Sequence, residues 1–278
     1  MTMPKNVERY VNSDRKAIDG WLSALDAWII AELLAKQSEL CIAGSVGEIG
    51  IHHGKLLLLL HLSTTDPERT FAVDLFEFQN ENVDNSGSGS KAKFIRNVHQ
   101  TGGRLEAIDI FETNSLRISW DEIKASVGQS CRFFSVDGGH TCELTLNDLK
   151  IASKSLCEGG IICLDDYFNE EFADVSVGLN RFMQETSDCR LVPISISDNK
   201  VMLCDADHKQ IYQDAIREVI PGSYFVKDTE FFESVTPVFR TPAGMYDRIK
   251  QSKLAKALRS HPVGIALKPF VRKLLHKY

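Results

Sequence analysis

Asp137, His140, Asp165 and Asp166 are the residues of this 278-residue chain whose types and spacing could do chemistry. An apolar run at 133–136 delivers Asp137-Gly138-Gly139-His140, and a second at 161–164 delivers Asp165-Asp166-Tyr167. Three carboxylates on adjacent loops repel one another unless a cation lies between them. An all-oxygen set with open positions suits Mg²⁺ or Mn²⁺ rather than zinc. Asp137, Asp165 and Asp166 are therefore the expected metal ligands. A cation there would make a bound hydroxyl more acidic, and His140 lies three residues past Asp137.

A second cluster precedes the first. Glu48-Ile49-Gly50-Ile51-His52-His53-Gly54-Lys55 is a glycine turn after a short apolar run. Gly50 lets the backbone approach a ligand, and Gly54 lets a following helix pack closely. Alone, such a turn serves dinucleotides and phosphates equally well. Asp74 ends the next apolar run, Phe71-Ala72-Val73-Asp74. A carboxylate at a strand end can accept hydrogen bonds from both ribose hydroxyls of an adenosine.

The elements that must position these residues alternate along the chain. Apolar positions at helical spacing over 15–37 predict one or two helices, with Asp14 as N-cap. Short apolar runs at 45–49, 71–73, 105–111, 132–136 and 160–164 predict strands. Stretches starting at 55–62, then 91–100, 144–156 and 175–184, predict helices. Strands separated by helices imply a mostly parallel sheet covered on both faces. Residues 191–195 and 200–204 flank only Ile196-Ser197-Asp198-Asn199, which leaves no room for a crossover helix. They predict a β-hairpin whose final strand runs antiparallel. The fold class is α/β: a Rossmann-like, seven-stranded, mostly parallel sheet with an antiparallel C-terminal hairpin strand. Residues 1–40 form an N-terminal helical segment, 41–205 the main domain and 206–278 an extension. The polar, glycine- and serine-rich stretch 79–90 predicts a mobile loop at the carboxyl edge of the sheet, suited to a flap.

Glu48-x-Gly50-x-x-x-Gly54 followed by Asp74 resembles the first two motifs of class I S-adenosylmethionine-dependent methyltransferases. Asp-Gly-Gly-His followed by Gly-Gly-Ile-Ile-x-x-Asp-Asp-Tyr resembles a bacterial branch of that family. This branch is related to macrocin-type sugar O-methyltransferases and, more distantly, to catechol O-methyltransferase. The resemblance implies S-adenosylmethionine as cofactor. Glu48, Gly50, His52 and Gly54 would lie at the methionine end and Asp74 on the ribose, with Asn114 and Ser115 near the adenine. It also implies Mg²⁺ or Mn²⁺ on an acid of the fourth strand and two of the fifth. His140 stands where the catechol enzymes carry a lysine base, so the resemblance implies that neutral His140 takes the acceptor's proton and that His140 and Asp137 are the catalytic pair. The chain departs from the macrocin-type pattern at Gly139, where a second aspartate is usual. The resemblance further implies a small-molecule or sugar acceptor.

Composition bounds the alternatives. The net charge of −6 argues against a general nucleic-acid binder. Residues 250–278 hold eight Lys/Arg and no acid, leaving 24 basic against 38 acidic side chains before them. A basic amphipathic tail packs on the body or contacts an anionic membrane surface or acidic polymer; a homodimer is left open. Seven cysteines without a C-x-x-C pair read as free thiols, and the polar first 20 residues read as no signal peptide. Both predict a cytoplasmic enzyme. His61 and His99 are expected on solvated helix faces, and the aromatic residues after 205 in the core. An NAD-dependent oxidoreductase using the same turn and Asp74 is the first competing reading. A non-catalytic nucleotide-binding module acting through the basic tail is the second.

Overall fold

The short, unalternating apolar runs become strands buried on both faces, because helices cover both sides of the sheet they form. A computed structural model describes residues 3–185 and 191–242. The strands are β1 (Ser45–Ile49), β2 (Thr70–Asp74), β3 (Ile108–Glu112), β4 (Cys131–Val136), β5 (Leu156–Leu164), β6 (Leu191–Ile196), β7 (Val201–Asp205), β8 (Phe225–Phe231) and β9 (Ser234–Phe239). They form one sheet in the order β3-β2-β1-β4-β5-β7-β6-β9-β8. The first five pair in parallel, and β7 inserts antiparallel between β5 and β6. The seven expected strands are thus present with the hairpin as predicted. Two strands more than expected, β8 and β9, extend the sheet from β6.

The helices are α1 (Lys5–Asn12), α2 (Ala24–Glu39), α3 (Lys55–Leu62), α4 (Lys91–Thr101), α5 (Trp120–Val127), α6 (Cys142–Ser155), α7 (Ala173–Glu185) and α8 (Lys209–Val219). Successive strand residues face opposite sides, so neighbours in sequence join different cores. Phe133 and Ile161 pack with α1–α4 and α8, whereas Phe134 and Ile162 pack with α5–α7. The N-terminal segment is capped differently from expectation. Asp14 opens a short 3₁₀ turn, and Ser23 caps α2 by accepting from the Asp26 amide at 3.0 Å. The intervening chain carries Leu22 into the core.

A buried ion pair closes the amino edge of the sheet. Arg132 on β4, 1% exposed, donates to Glu68 at 2.7 Å and to Gln37 at 3.1 Å. His61 on α3 is 4% exposed, not solvated as expected. Its Nε2 accepts from the Arg104 amide at 3.0 Å, so its Nδ1 donates to the Thr70 hydroxyl at 2.8 Å. α3 is apolar all round and packs against the sheet, which draws the histidine inside. His99 is exposed. Of the aromatic extension, Phe239 is core, whereas Phe225 is 37% exposed.

All described elements belong to the unit Met1–Arg240. The basic segment 250–278, and the expectation for it, lie outside the described residues. Among those residues no helix is long and apolar enough to cross a membrane.

Candidate active site

Register brings the two sequence clusters together. Ile49 pairs with both Val73 and Val136, and Val136 pairs with Leu164. The residues one step further, Gly50, Asp74, Asp137 and Asp165, must then share the carboxyl edge of the sheet. Hydrogen bonds carry the ladder that one step: Gly50 N–H to Val73 O at 2.9 Å, Asp137 N–H to Ile49 O at 2.9 Å, and Asp165 N–H to Val136 O at 3.0 Å. The strand order reverses between β1 and β4, and ligands bind in that crevice in doubly wound sheets. A cleft of about 690 Å³ opens there.

Its cofactor-side wall is built from the glycine turn. Gly50 has φ +84°, and a Cβ there would lie 1.7 Å from the Asp137 carbonyl oxygen, so only glycine lets these two loops meet. Gly54 has φ +82° and faces the Phe94 ring of α4 instead of the cleft. Asp74 accepts from the His52 amide at 2.8 Å and the Phe76 amide at 2.6 Å. Burial raises its pKa against the pull of those bonds. Gly50, His52, Asp74, Asn114 and Ser115 line the cleft, as do Asp137, His140, Asp165 and Asp166. Glu48 does not. It is 1% exposed behind the cleft, bonded to Ser135 at 3.1 Å, and burial pushes its pKa up to about 8.

Asp137, His140 and Asp166 converge, with one ligand-type atom from each lying within 4.8 Å of the others. The His140 Nε2 is 2.9 Å from Asp166 Oδ2, and its ring stacks on Phe172 at 3.8 Å. Burial works against its charge, yet the hydrogen bonds to Asp166 and Asp84 outweigh burial and raise its pKa. The imidazolium is favoured here, where the sequence led us to expect neutral imidazole. Asp166, at φ +59°, also accepts from Asn169 at 2.8 Å and from Asn199. Those bonds and His140 lower its pKa despite burial. Asp137 stands oppositely. Burial first, and then the Asp165 charge, push its pKa well above the carboxylate range. A buried carboxylate facing its own kind is relieved by a cation, so the donor set fits one.

Asp165, expected as a metal ligand, has both carboxylate oxygens engaged within the protein. One oxygen pairs with the buried Lys200 ammonium, and the other accepts from the Asp166 amide at 2.9 Å. Three contributors escaped sequence reasoning. Lys200 and Asn199 come from the β6–β7 turn, and Asp84 comes from the loop 79–90. The turn was legible as a hairpin, but nothing local in it signals a site. Asp84 was hidden in a stretch whose composition speaks only of a loop.

Residues 48–167 match a family described as a methyltransferase domain. No curated protein matches the sequence. Among solved structures, the chain is similar to the O-methyltransferase NovP, with 13% identity and a TM-score of 0.52 over 64% of this chain and 79% of that one. Apo CalS11, a TDP-rhamnose 3'-O-methyltransferase, gives 14% identity and 0.50 over 74% and 89%. An O-methyltransferase from Bacillus cereus with S-adenosylhomocysteine gives 13% and 0.50 over 73% and 91%. At these identities the likeness is one of fold.

Proposed function

We propose that this chain is a class I S-adenosylmethionine-dependent methyltransferase and, more narrowly, a divalent-metal-assisted O-methyltransferase acting on a hydroxyl of a sugar or other small molecule. The observation that carries this reading is the convergence of Asp137, His140 and Asp166 in the cleft that Gly50 and Asp74 also line. S-adenosylmethionine would supply a methyl group already activated for transfer, and Mg²⁺ or Mn²⁺ a fixed charge that makes a nearby hydroxyl more acidic.

The residues of the chain do the remaining work. The Gly50 turn and Asp74 bind and orient the methyl donor, with Asn114 and Ser115 on its adenine side. Asp137 and Asp166 hold the cation. Asp84 keeps the Nδ1 proton of His140 in place, so once the favoured imidazolium has released its Nε2 proton to solvent, Nε2 can accept the proton of the acceptor hydroxyl. Nε2 exchanges its present contact with Asp166 for that hydroxyl. Its raised proton affinity suits a base. Alignment and exclusion of water supply the rest of the acceleration.

A second reading of His140 rests on the same convergence: Nε2 is a third metal ligand beside the two carboxylates. One lone pair cannot serve both ends. In His140→Ala, lost methyl transfer with retained Mn²⁺ binding supports the base, whereas lost Mn²⁺ binding supports the ligand.

A sugar hydroxyl as acceptor draws support from the CalS11 likeness, and a cytoplasmic setting from the six unpaired described cysteines. The decisive experiment is transfer of labelled methyl from S-adenosylmethionine to a panel of sugars and catechols, with and without EDTA. Calorimetry with S-adenosylhomocysteine and NAD accompanies it. NAD binding without S-adenosylhomocysteine binding would overturn the reading. EDTA-insensitive transfer would remove the metal from it.

A further inference from the structure

The β6–β7 hairpin reaches into the cleft because β7 runs antiparallel to β5. Leu164 pairs with Val201, so the next pair outward is Asp165 with Lys200. Lys200 is 1% exposed, and its ammonium is bonded to Asp165. Both Asp165 oxygens are then engaged, the second by the Asp166 amide at 2.9 Å. Asn199 from the same turn fixes Asp166, so a single hairpin tip restrains both acids of the Asp165-Asp166 pair.

An ammonium buried this deeply stays only where a carboxylate compensates its lost hydration. Asp165 provides that compensation, with Asp137 and Asp26 adding their fields. A carboxylate so engaged is a poor ligand for a second cation. Displacing Lys200 would leave a buried charge unpaired, at a cost of the kind that breaks native structure.

We propose that Lys200 is a built-in counter-ion that withdraws Asp165 from the metal-ligand set and keeps divalent-cation affinity low at Asp137 and Asp166. This deepens the metal-assisted reading and rests on it. The consequence is a site whose cation exchanges readily, in contrast to one gripped by three carboxylates.

The test is Mn²⁺ binding followed by electron paramagnetic resonance, without acceptor, on four proteins. The wild type should bind weakly, and Asp137→Asn should lose binding. Lys200→Gln frees Asp165 and removes a positive charge, so its affinity should rise about tenfold or more. Should that variant fail to fold, Asp165→Asn/Lys200→Gln replaces the ion pair by a neutral amide pair. Its affinity should stay near that of the wild type. A large loss in this double variant, or no gain in a folded Lys200→Gln, would overturn the proposal. Mn²⁺ bound only by Lys200→Gln would support the counter-ion and overturn the metal-assisted reading. No binding by any of the proteins would overturn both.

Discussion

Asp84 grips His140 twice, accepting from its backbone amide at 2.7 Å and from its Nδ1 at 2.9 Å with one carboxylate oxygen. Its other oxygen accepts from the Ser86 amide at 2.9 Å and from the Ser86 hydroxyl. Bonds from Ser86 and His140 overcome burial and hold the Asp84 pKa at about 2, so the partner of His140 stays charged at any working pH. The glycine- and serine-rich loop is thereby tied to the proposed base.

Asp84→Asn should cut methyl transfer by on the order of 10-fold to 100-fold, because the amide no longer fixes the Nδ1 proton. Asp84 is not among the residues lining the cleft, so S-adenosylhomocysteine affinity by calorimetry should hold. Full activity in the variant would leave the contact with His140 without a catalytic role.

Asp74→Ala should weaken S-adenosylhomocysteine binding by about tenfold or more, since hydrogen bonds to a charged acceptor are the stronger kind. Part of the loss comes from releasing the His52 and Phe76 amides that Asp74 now holds. Calorimetry of Asp74→Asn separates the two effects, because an amide oxygen still accepts from one of them. Equal affinity in all three proteins would exclude Asp74 from the cofactor site.

Arg132→Met should destabilise the fold by about 3–5 kcal/mol by leaving Glu68 buried and unpaired. Replacing Glu68 by Leu as well should restore most of that loss. Urea denaturation measures both variants. Arg132 lies at the opposite edge of the sheet from the cleft, so the folded fraction should bind S-adenosylhomocysteine normally. A double variant no more stable than the single one would show that Gln37 and Ser63, also bonded to Arg132, dominate.

His61 gives the fold a pH dependence. Burial first, and then the Arg104 charge, lower its pKa from 6.5 to about 4. The unfolded chain therefore binds a proton that the native chain refuses between those values. Stability is full above about pH 6.5 and falls as the pH drops towards 4, by about 2 kcal/mol at pH 5. Denaturation at pH 7.5 and 5 should show this difference shrinking in His61→Gln. An unchanged difference would assign it to other groups.

The sequence by itself determined the elements and their order. Apolar runs of strand length separated by amphipathic stretches have one economical packing. The four residues 196–199 are too few for a crossover helix and force the β6–β7 hairpin. The turn at Gly50 and the acids at 74, 137, 165 and 166 were legible because strand ends announce themselves. α5 was also legible, through the Ser119–Glu122 capping box, although it was not among the helices expected. Tertiary structure alone decided which acids face which cations. Lys200 lies 35 residues from Asp165 and Asp84 lies 56 from His140. Residues so far apart meet only through the register of β5 with β7 and the path of a loop. Electrostatic partners at the cleft are set by those long-range placements, to which local patterns of polarity are blind.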